Sequence, residues 1–284
     1  MKSFSYHAPR SLDEVFDLLD AYGEDAQLIA GGTALVLLMK QGLVQPGHVV
    51  SLRSIDDLAD VKDGAGLSLG AMLTHRALEL APAVRAYDGS LARAFADVAT
   101  IRIRSMATLG GNLVHADPAQ DPPPMLIALR AEAVLQARDG ERRVPLDEFF
   151  VDYYETALRP GEVLTRVELP PRPESRRTHY VKFLPRTADD YATVAVATAV
   201  DVDADGTVDD ARIVLGAAGP TVLRAHAAED ALRGQKLSPE LMREAGALAR
   251  DAADPLYDAR GSAAYKKEMV AVWVRRSLER LLQP

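Results

Sequence analysis

The first 52 residues alternate between helical and extended patterns around one pair of adjacent glycines, and this order restricts the possible folds strongly. Ser11 and Glu14 have the spacing of a capping box, apolar residues then recur at helical intervals, and Gly23 stands where a C-terminal cap belongs. Further along, the pattern predicts a strand over 27–30, a glycine turn over 31–33, a helix over 34–41 and a strand over 49–52. This order is typical of an α/β arrangement.

The middle of the chain adds a hairpin, short helices and another strand. The pattern favours a hairpin over 61–72, helices near 74–80 and 91–99, and a strand over 133–137. The glycine-rich segment 108–121 is expected to be irregular. Asp121 is expected to cap the next helix, because Pro122 suits the first helical position.

A proline- and charge-rich segment over 170–175 predicts a domain boundary. Beyond it the pattern predicts strands over 193–202 and 211–215, joined by a turn over 204–207, and helices over 238–251 and 265–282. We therefore expect a mixed α/β (α+β) fold with two domains. The predicted domains are 1–173, with subdomains of about 1–55 and 56–173, and a small α+β domain over 176–284.

The charge and hydropathy of the sequence limit the classes of partner that the protein can bind. The 33 Lys and Arg residues against 41 Asp and Glu residues give a net charge of −8, which argues against nucleic acid or an anionic membrane as partner. The longest apolar run, 28–39, is too short to span a bilayer, and the first residues lack the apolar core of a secretory signal. We expect a cytoplasmic protein with no stable membrane insertion.

The chain contains no cysteine. This excludes disulfides, a thiol nucleophile and any cysteine-ligated iron–sulfur cluster within the chain. Iron–sulfur chemistry, if the function needs it, must belong to another polypeptide.

Two glycine turns have the composition of phosphate-binding loops. In Ala30-Gly31-Gly32-Thr33 the missing side chains let backbone N–H groups converge, and a hydroxyl follows. Taken alone, this turn is more typical of a plain tight turn. Thr108-Leu109-Gly110-Gly111-Asn112 is a second such turn, and together the two could hold both phosphates of a dinucleotide. Asp121 lies nine positions further on, where its carboxylate could accept hydrogen bonds from hydroxyl or ring N–H groups.

These two turns resemble the flavin-binding signatures of the FAD-carrying medium subunit of molybdenum hydroxylases, the carbon monoxide dehydrogenase and xanthine dehydrogenase family. The resemblance extends over nearly the whole chain. It includes the segments 101–104, 115–121, 160–164, 182–193 and 258–265 and the last helix.

The resemblance implies a vanillyl-alcohol-oxidase-like (PCMH-type) FAD-binding domain, followed by a carbon monoxide dehydrogenase flavoprotein C-terminal domain. It also implies a large molybdopterin subunit and a small iron–sulfur subunit as partners, in a dimer of heterotrimers. FAD would be the only cofactor on this chain, with no catalytic side chain and no metal ligand. The implied FAD-binding residues are Leu28, Ile29, Ala30, Gly31, Gly32, Thr33, Ala34, Leu35, Thr108, Gly110, Gly111, Asn112, Asp121, Leu164, Lys182 and Tyr191.

The sequence leaves the substrate, the electron acceptor and two alternative functions open. Thr33-Ala34 stands where carbon monoxide dehydrogenases have His-Ser, so the substrate is not fixed, and neither is the electron acceptor. A stand-alone flavin oxidoreductase of the same fold and a non-redox nucleotide-binding scaffold are the alternative functions.

Two groups of acidic residues suggest metal sites but favour other interpretations. The stretch 201–206 matches the start of a calcium loop, yet Arg212 stands where a bidentate glutamate is needed, so we predict an exposed hairpin turn. His115, Asp117 and Asp121 do not have the spacing of a known metal site, and we expect them to form loop hydrogen bonds.

Tyr153 and Tyr154 are predicted to pack in the core rather than at an interface. The other histidines occur singly and are expected to be surface groups or satisfied structural groups. These are His7, His48, His75, His179 and His226.

Overall fold

The protein is described here by a computed structural model that covers residues 2–185 and 190–282. The N-terminal part is a parallel three-stranded sheet in the order β1-β3-β2. Its elements are β1 (Ser5–His7), α1 (Leu12–Tyr22), β2 (Ala26–Ile29), α2 (Leu35–Gln41) and β3 (His48–Ser51). The Ser11 hydroxyl accepts from the Glu14 amide, and Gly23 and Gly42 end α1 and α2 at positive φ. The predicted α/β order is confirmed.

The next part is built on an antiparallel five-stranded sheet in the order β4-β5-β10-β6-β7. Its elements in chain order are β4 (Val61–Asp63), β5 (Leu67–Gly70), α3 (His75–Leu80), α4 (Pro82–Tyr87), α5 (Gly89–Ala96), α6 (Ile101–Arg104), α7 (Leu109–His115), α8 (Pro122–Ala128), β6 (Glu132–Ala137), β7 (Gly140–Pro145), α9 (Leu146–Phe149), β8 (Phe150–Asp152), β9 (Glu155–Thr156) and β10 (Val163–Leu169). The hairpin predicted over 61–72 is present as β4 and β5.

The C-terminal part is an antiparallel four-stranded sheet in the order β11-β12-β13-β14, covered by three helices. Its elements are β11 (Arg176–Phe183), β12 (Val194–Val202), β13 (Val208–Gly216), β14 (Leu223–Arg224), α10 (His226–Leu232), α11 (Pro239–Ala252) and α12 (Ala263–Leu281). The predicted α+β pattern is confirmed, although β13 begins at Val208 rather than Ala211. In residues 2–185 and 190–282, no helix combines the length and apolarity that a membrane crossing requires.

Both faces of the C-terminal sheet are buried, and β12 shows why. Its valines pack in the core shared with α11 and α12, whereas its alanines pack in the core that includes α5 and α8. This alternation follows from the two-residue period of a strand, and the small alanines let the helices of the preceding part approach closely. On β11 the same period places Tyr180 in the core that includes α5 and α8.

The histidines differ from expectation in two places. His7 and His48 are not single groups, because their ring nitrogens lie 2.9 Å apart and Tyr22 stacks on His48. His75 is fully buried beside Phe95, and neither of its ring nitrogens has a partner among the described residues. The expectation of satisfied or exposed histidines is therefore wrong for His75. His7 and His48 lie close together because their strands, β1 and β3, are paired.

Candidate cofactor-binding site

The first glycine loop, residues 30–34, connects β2 to α2 and presents unpaired amides. Gly32 has a φ of +74°, a conformation that favours glycine. Among the described residues, none accepts a hydrogen bond from the backbone N–H groups of Gly31, Gly32, Thr33 or Ala34. Consecutive free N–H groups in a loop of this kind form an anion-binding concavity. The loop therefore has the chemistry needed to hold a phosphate.

Gly31 lies directly against the segment before the second glycine loop. A Cβ atom built on Gly31 would stand 1.9 Å from the carbonyl oxygen of Met106, so no other residue fits there without moving the backbone. A Cβ on Gly111 would lie 3.6 Å from the Cβ of Ala30. The fold thus brings the two predicted loops into contact.

The second glycine loop, residues 108–112, is not irregular, because it forms the start of α7. Thr108 is the N-cap residue, and its hydroxyl accepts from the Gly111 amide at 3.1 Å. The amides of Leu109 and Gly110 donate to the carbonyls of Leu73 and Ala71 at 2.9 and 2.8 Å. The prediction of irregular structure is wrong over 109–115, since these tertiary hydrogen bonds hold the glycines in a helix. From Leu109 to Asn112, every backbone amide of this loop is therefore already hydrogen-bonded.

Asn112 supplies a different kind of group to the same region. Its side-chain oxygen is buried, and no described residue donates a hydrogen bond to it. A buried carbonyl oxygen without a donor is unfavourable in the free chain and favours a ligand that carries an N–H or O–H group.

Asp121 does not cap α8. Its backbone is helical, with φ −76° and ψ −45°, whereas a capping residue is extended, and its side chain makes no capping hydrogen bond. The carboxylate instead accepts from the Tyr180 hydroxyl at 2.8 Å and from the Lys182 ammonium at 2.9 Å. Lys182 also donates to the Asp97 carbonyl at 2.8 Å. The predicted residues Asp121 and Lys182 are therefore brought together as a buried ion pair.

The surroundings of this pair are strongly desolvating. Burial raises the pKa of Asp121 to about 6, an effect that the neighbouring Lys182 ammonium opposes. Sequence reasoning missed Tyr180, which completes the pair. The period of a strand could have found it, since residues 180 and 182 of β11 point to the same side.

Leu164 and Tyr191 occupy two different environments. Leu164 is buried in β10, next to a register shift between β10 and β6. Tyr191 has 42% of its surface exposed, and its ring lies under the Arg260 guanidinium at 5.5 Å. The Tyr191 phenol also interacts with Asp117.

The tyrosine pair near Asp117 is at the surface. Tyr154 is 58% exposed and donates from its hydroxyl to Asp117 at 3.2 Å, and Tyr153 is 38% exposed. The prediction that these two side chains pack in the core is wrong. The positive φ of 58° at Tyr154 turns the chain outward between β8 and β9.

The acidic stretch 201–206 ends β12 and forms the predicted hairpin turn to β13. The Asp203 carboxylate accepts from the amides of Asp205 and Thr207, while Asp201 pairs with Arg176. In the same way, Asp117 accepts from the amide of Ala119 at 2.9 Å, so its carboxylate takes part in loop hydrogen bonding.

Family profiles match both parts of the chain. Residues 2–172 match the FAD binding domain in molybdopterin dehydrogenase, and residues 179–281 match the CO dehydrogenase flavoprotein C-terminal domain. The chain belongs to the family of FAD-binding medium subunits of molybdenum hydroxylases. The predicted family, fold class and FAD cofactor are thereby confirmed, and the row of free amides at the first glycine loop fits an anionic dinucleotide.

Relatives of this flavoprotein family align over almost the full length. The carbon monoxide dehydrogenase medium chain of Hydrogenophaga pseudoflava is 34% identical over 97% of this chain and 96% of its own. The nicotine 6-hydroxylase medium subunit of Paenarthrobacter nicotinovorans is 33% identical over 98% of this chain and 97% of its own.

Solved structures of the family superimpose on almost the whole chain. Carbon monoxide dehydrogenase from Hydrogenophaga pseudoflava superimposes with a TM-score of 0.94 at 36% identity, covering 98% of this chain and 96% of that one. Quinoline 2-oxidoreductase from Pseudomonas putida 86 gives 0.92 at 33% identity, covering 99% and 98%. Relatives named for three different substrates match about equally well, so the likeness establishes the family and not the substrate.

Proposed function

We propose that this chain is the FAD-carrying subunit of a cytoplasmic molybdenum hydroxylase. Its partners are a large molybdopterin subunit and a small iron–sulfur subunit, in a dimer of heterotrimers. The observation that carries the proposal is the row of four unpaired amides at residues 31–34, set directly against the second glycine loop. The lack of cysteine supports it, because the iron–sulfur clusters then belong to another chain.

We assign the cofactor contacts to the two glycine loops and to the side chains behind them. The amides of residues 31–34 and the Thr33 hydroxyl bind the pyrophosphate, while the orphaned oxygen of Asn112 accepts from a hydroxyl or N–H group. The full set is Leu28, Ile29, Ala30, Gly31, Gly32, Thr33, Ala34, Leu35, Thr108, Gly110, Gly111, Asn112, Asp121, Leu164, Lys182 and Tyr191.

The chain's own residues position and tune the cofactor and need no acid–base chemistry. FAD, when bound, supplies a redox group that takes electrons from the partner's iron–sulfur clusters and passes them to an external acceptor. Lys182 holds a buried positive charge whose position is fixed by the Asp97 carbonyl and the Asp121 carboxylate. Tyr180 orients that carboxylate.

We assign the cofactor to a domain over residues 1–173, with subdomains of about 1–55 and 56–173, and the remaining function to a domain over 176–284. The shared core supports a fixed relation between them, because β12 packs against α8 and β11 packs against α5.

The test is a metal and flavin analysis of the native complex, isolated through a tag on this subunit. We expect about one FAD and about four irons per molybdenum, since the family arrangement implies two iron–sulfur clusters. The iron must remain with partner chains when the tagged subunit is separated under mild denaturation. FAD without iron or molybdenum would overturn the assignment in favour of a stand-alone flavin oxidoreductase. A complex without FAD would leave only a nucleotide-binding scaffold.

A further inference from the structure

Arg260 lies between α11 and α12 and contacts the segment 190–191, which precedes β12. Its Nε donates to the Tyr191 carbonyl at 3.1 Å, and one terminal nitrogen donates to the Asp190 carboxylate at 2.9 Å. The same guanidinium lies 5.5 Å from the centre of the Tyr191 ring. One side chain therefore fixes the backbone, a neighbouring carboxylate and the ring of the segment that carries Tyr191.

Arg260 is itself held in place by a tight turn. Its second terminal nitrogen bonds to Asp258 at 3.2 Å, and Asp258 also pairs with Lys266 at 2.9 Å. Lys266 is buried at the start of α12 and donates to the Leu256 carbonyl. The guanidinium is thus anchored to a long helix and does not rest on a freely moving surface side chain.

Tyr191 also interacts with the part of the chain that is built on the five-stranded sheet. Its phenol interacts with Asp117, which also accepts from Tyr154. Partial burial, together with the negative charge of Asp117, raises the pKa of Tyr191 to about 12, so the phenol stays protonated. Tyr191 therefore interacts with both an anchored guanidinium and a carboxylate of another part of the chain.

The chemistry of these contacts requires arginine in particular. A planar guanidinium can donate to a carbonyl and to two carboxylates in fixed directions while its face lies on an aromatic ring. A lysine ammonium keeps the charge but cannot make these contacts together.

We propose that Arg260 is a positioning residue that holds Asp190 and Tyr191 in place, and so sets the position of Tyr191 at the FAD site. This inference rests on the proposed function only in placing Tyr191 at that site. The Arg260 contacts with residues 190, 191 and 258 are called the Arg260 clamp below.

The first experiment observes Tyr191 without any flavin. The full chain is labelled with 3-fluorotyrosine, the Tyr191 signal is assigned by its loss in Tyr191→Phe, and fluorine NMR spectra of Arg260→Gln and Arg260→Lys are recorded. We expect the Tyr191 signal to shift or split in both variants. Removing charge-assisted hydrogen bonds should change the population of the held position by about tenfold or more.

Arg250→Gln is the matched control. Arg250 also lies in the C-terminal part and pairs with two carboxylates, Asp251 and Glu268, but it does not contact Tyr191. The Tyr191 signal should be unchanged in this variant. Should Arg260→Gln fail to fold by circular dichroism, Asp190→Asn removes one of the same contacts from the other side and should move the Tyr191 signal in the same direction.

The second experiment measures iodide quenching of the flavin fluorescence in the native complex. Arg260→Gln should raise the quenching constant, and adding Tyr191→Ala to it should raise the constant no further than Tyr191→Ala alone. An unchanged Tyr191 signal in Arg260→Gln, with normal FAD content, would overturn the Arg260 clamp and leave the proposed function standing. A shifted Tyr191 signal in a chain that never binds FAD would support the Arg260 clamp and overturn the proposed function.

Discussion

The two glycine loops have nearly the same composition but opposite hydrogen-bonding states. In the first, the amides of residues 31–34 have no acceptor among the described residues, and Gly32 adopts a positive φ. In the second, the amides of Gly110 and Gly111 are bonded to the Ala71 carbonyl and to the Thr108 hydroxyl. One loop therefore offers donors to a ligand, while the other uses its donors to build the start of a helix.

The glycine pairs of the two loops therefore meet different physical requirements. Gly31 is required because the chain passes against the Met106 carbonyl, and Gly110 because α7 starts against Ala71. Only the first loop combines close packing with glycine amides that have no acceptor among the described residues, so we place the phosphate contacts there and the shaping of the site in the second loop. Substitutions that add one methyl group to each glycine can separate these roles.

The largest effect is expected for Gly31→Ala. The new methyl would stand 1.9 Å from the Met106 carbonyl oxygen and 2.7 Å from its carbon, so the backbone of one loop must move. We expect a loss of about 3 kcal/mol or more in the free energy of unfolding, measured by urea denaturation of the full chain. The native complex should also lose its FAD.

Gly89→Ala is the control for this substitution. Gly89 begins α5, and a Cβ there meets nothing within 4 Å. Its stability should stay equal to that of the wild type or rise by about 0.5 kcal/mol. Equal stability of the Gly31 and Gly89 variants would contradict the contact between the two loops.

A second prediction concerns the buried ring behind the second loop. The His75 amide donates to the Ala107 carbonyl, and burial lowers the pKa of the ring to about 4. A lowered pKa means that the folded state binds fewer protons, so stability is complete above pH 6.5 and is lost as the pH falls towards 4. We expect this loss to be about 3 kcal/mol.

His75→Leu should remove this loss and remain within about 1 kcal/mol of the wild type at pH 7, because no hydrogen bond of the ring is given up. The measurement is urea denaturation of both chains from pH 7 to pH 4. Asp121 acts in the opposite direction, since its raised pKa favours the folded state at low pH, so the difference between the two chains is the quantity to compare. The exposed His226, changed to Gln, is the control and should follow the wild type.

A third prediction tests the packing of α7. In Gly110→Ala the methyl would lie 2.7 Å from the Ala71 Cβ and 3.0 Å from the Ala71 oxygen. We expect a loss of about 2 kcal/mol in unfolding free energy. Adding Ala71→Gly should restore part of it, because the methyl–methyl contact is relieved while the contact with the oxygen remains. Assembled complexes of Gly110→Ala should lose less FAD than those of Gly31→Ala, and an equal loss in both would show that the two loops are not functionally distinct.

Local signals predicted the fold well where neighbouring residues suffice. Ser11, Gly23 and Gly42 act within one helical turn, so the ends of α1 and α2 follow from the sequence. The alternating valines and alanines of β12 likewise indicate a strand whose two faces are both buried.

Contacts that are distant along the chain were not predictable in the same way. Asp121 is expected to cap a helix until its partners on β11 are known, and these lie about sixty positions away. Two adjacent glycines argue against a helix, yet α7 forms because the carbonyls of Ala71 and Leu73 bind its first amides. The contact between the two glycine loops depends equally on the position of Met106.

The smallest effect on stability is expected for Gly111→Ala, which separates the stability of the fold from cofactor binding. Gly111 is exposed at the start of α7, and a methyl there lies 3.0 Å from the Thr108 hydroxyl oxygen. Because alanine favours a helix over glycine by up to about 1 kcal/mol, the unfolding free energy should change little. The same methyl would contact the Cβ of Ala30 in the first loop at 3.6 Å, so the Kd for FAD should rise by about tenfold, or 1.4 kcal/mol. Fluorescence titration of the full chain with FAD, beside urea denaturation, measures both quantities. A large loss of stability with an unchanged Kd would mean that Gly111 serves the fold and does not contact the cofactor.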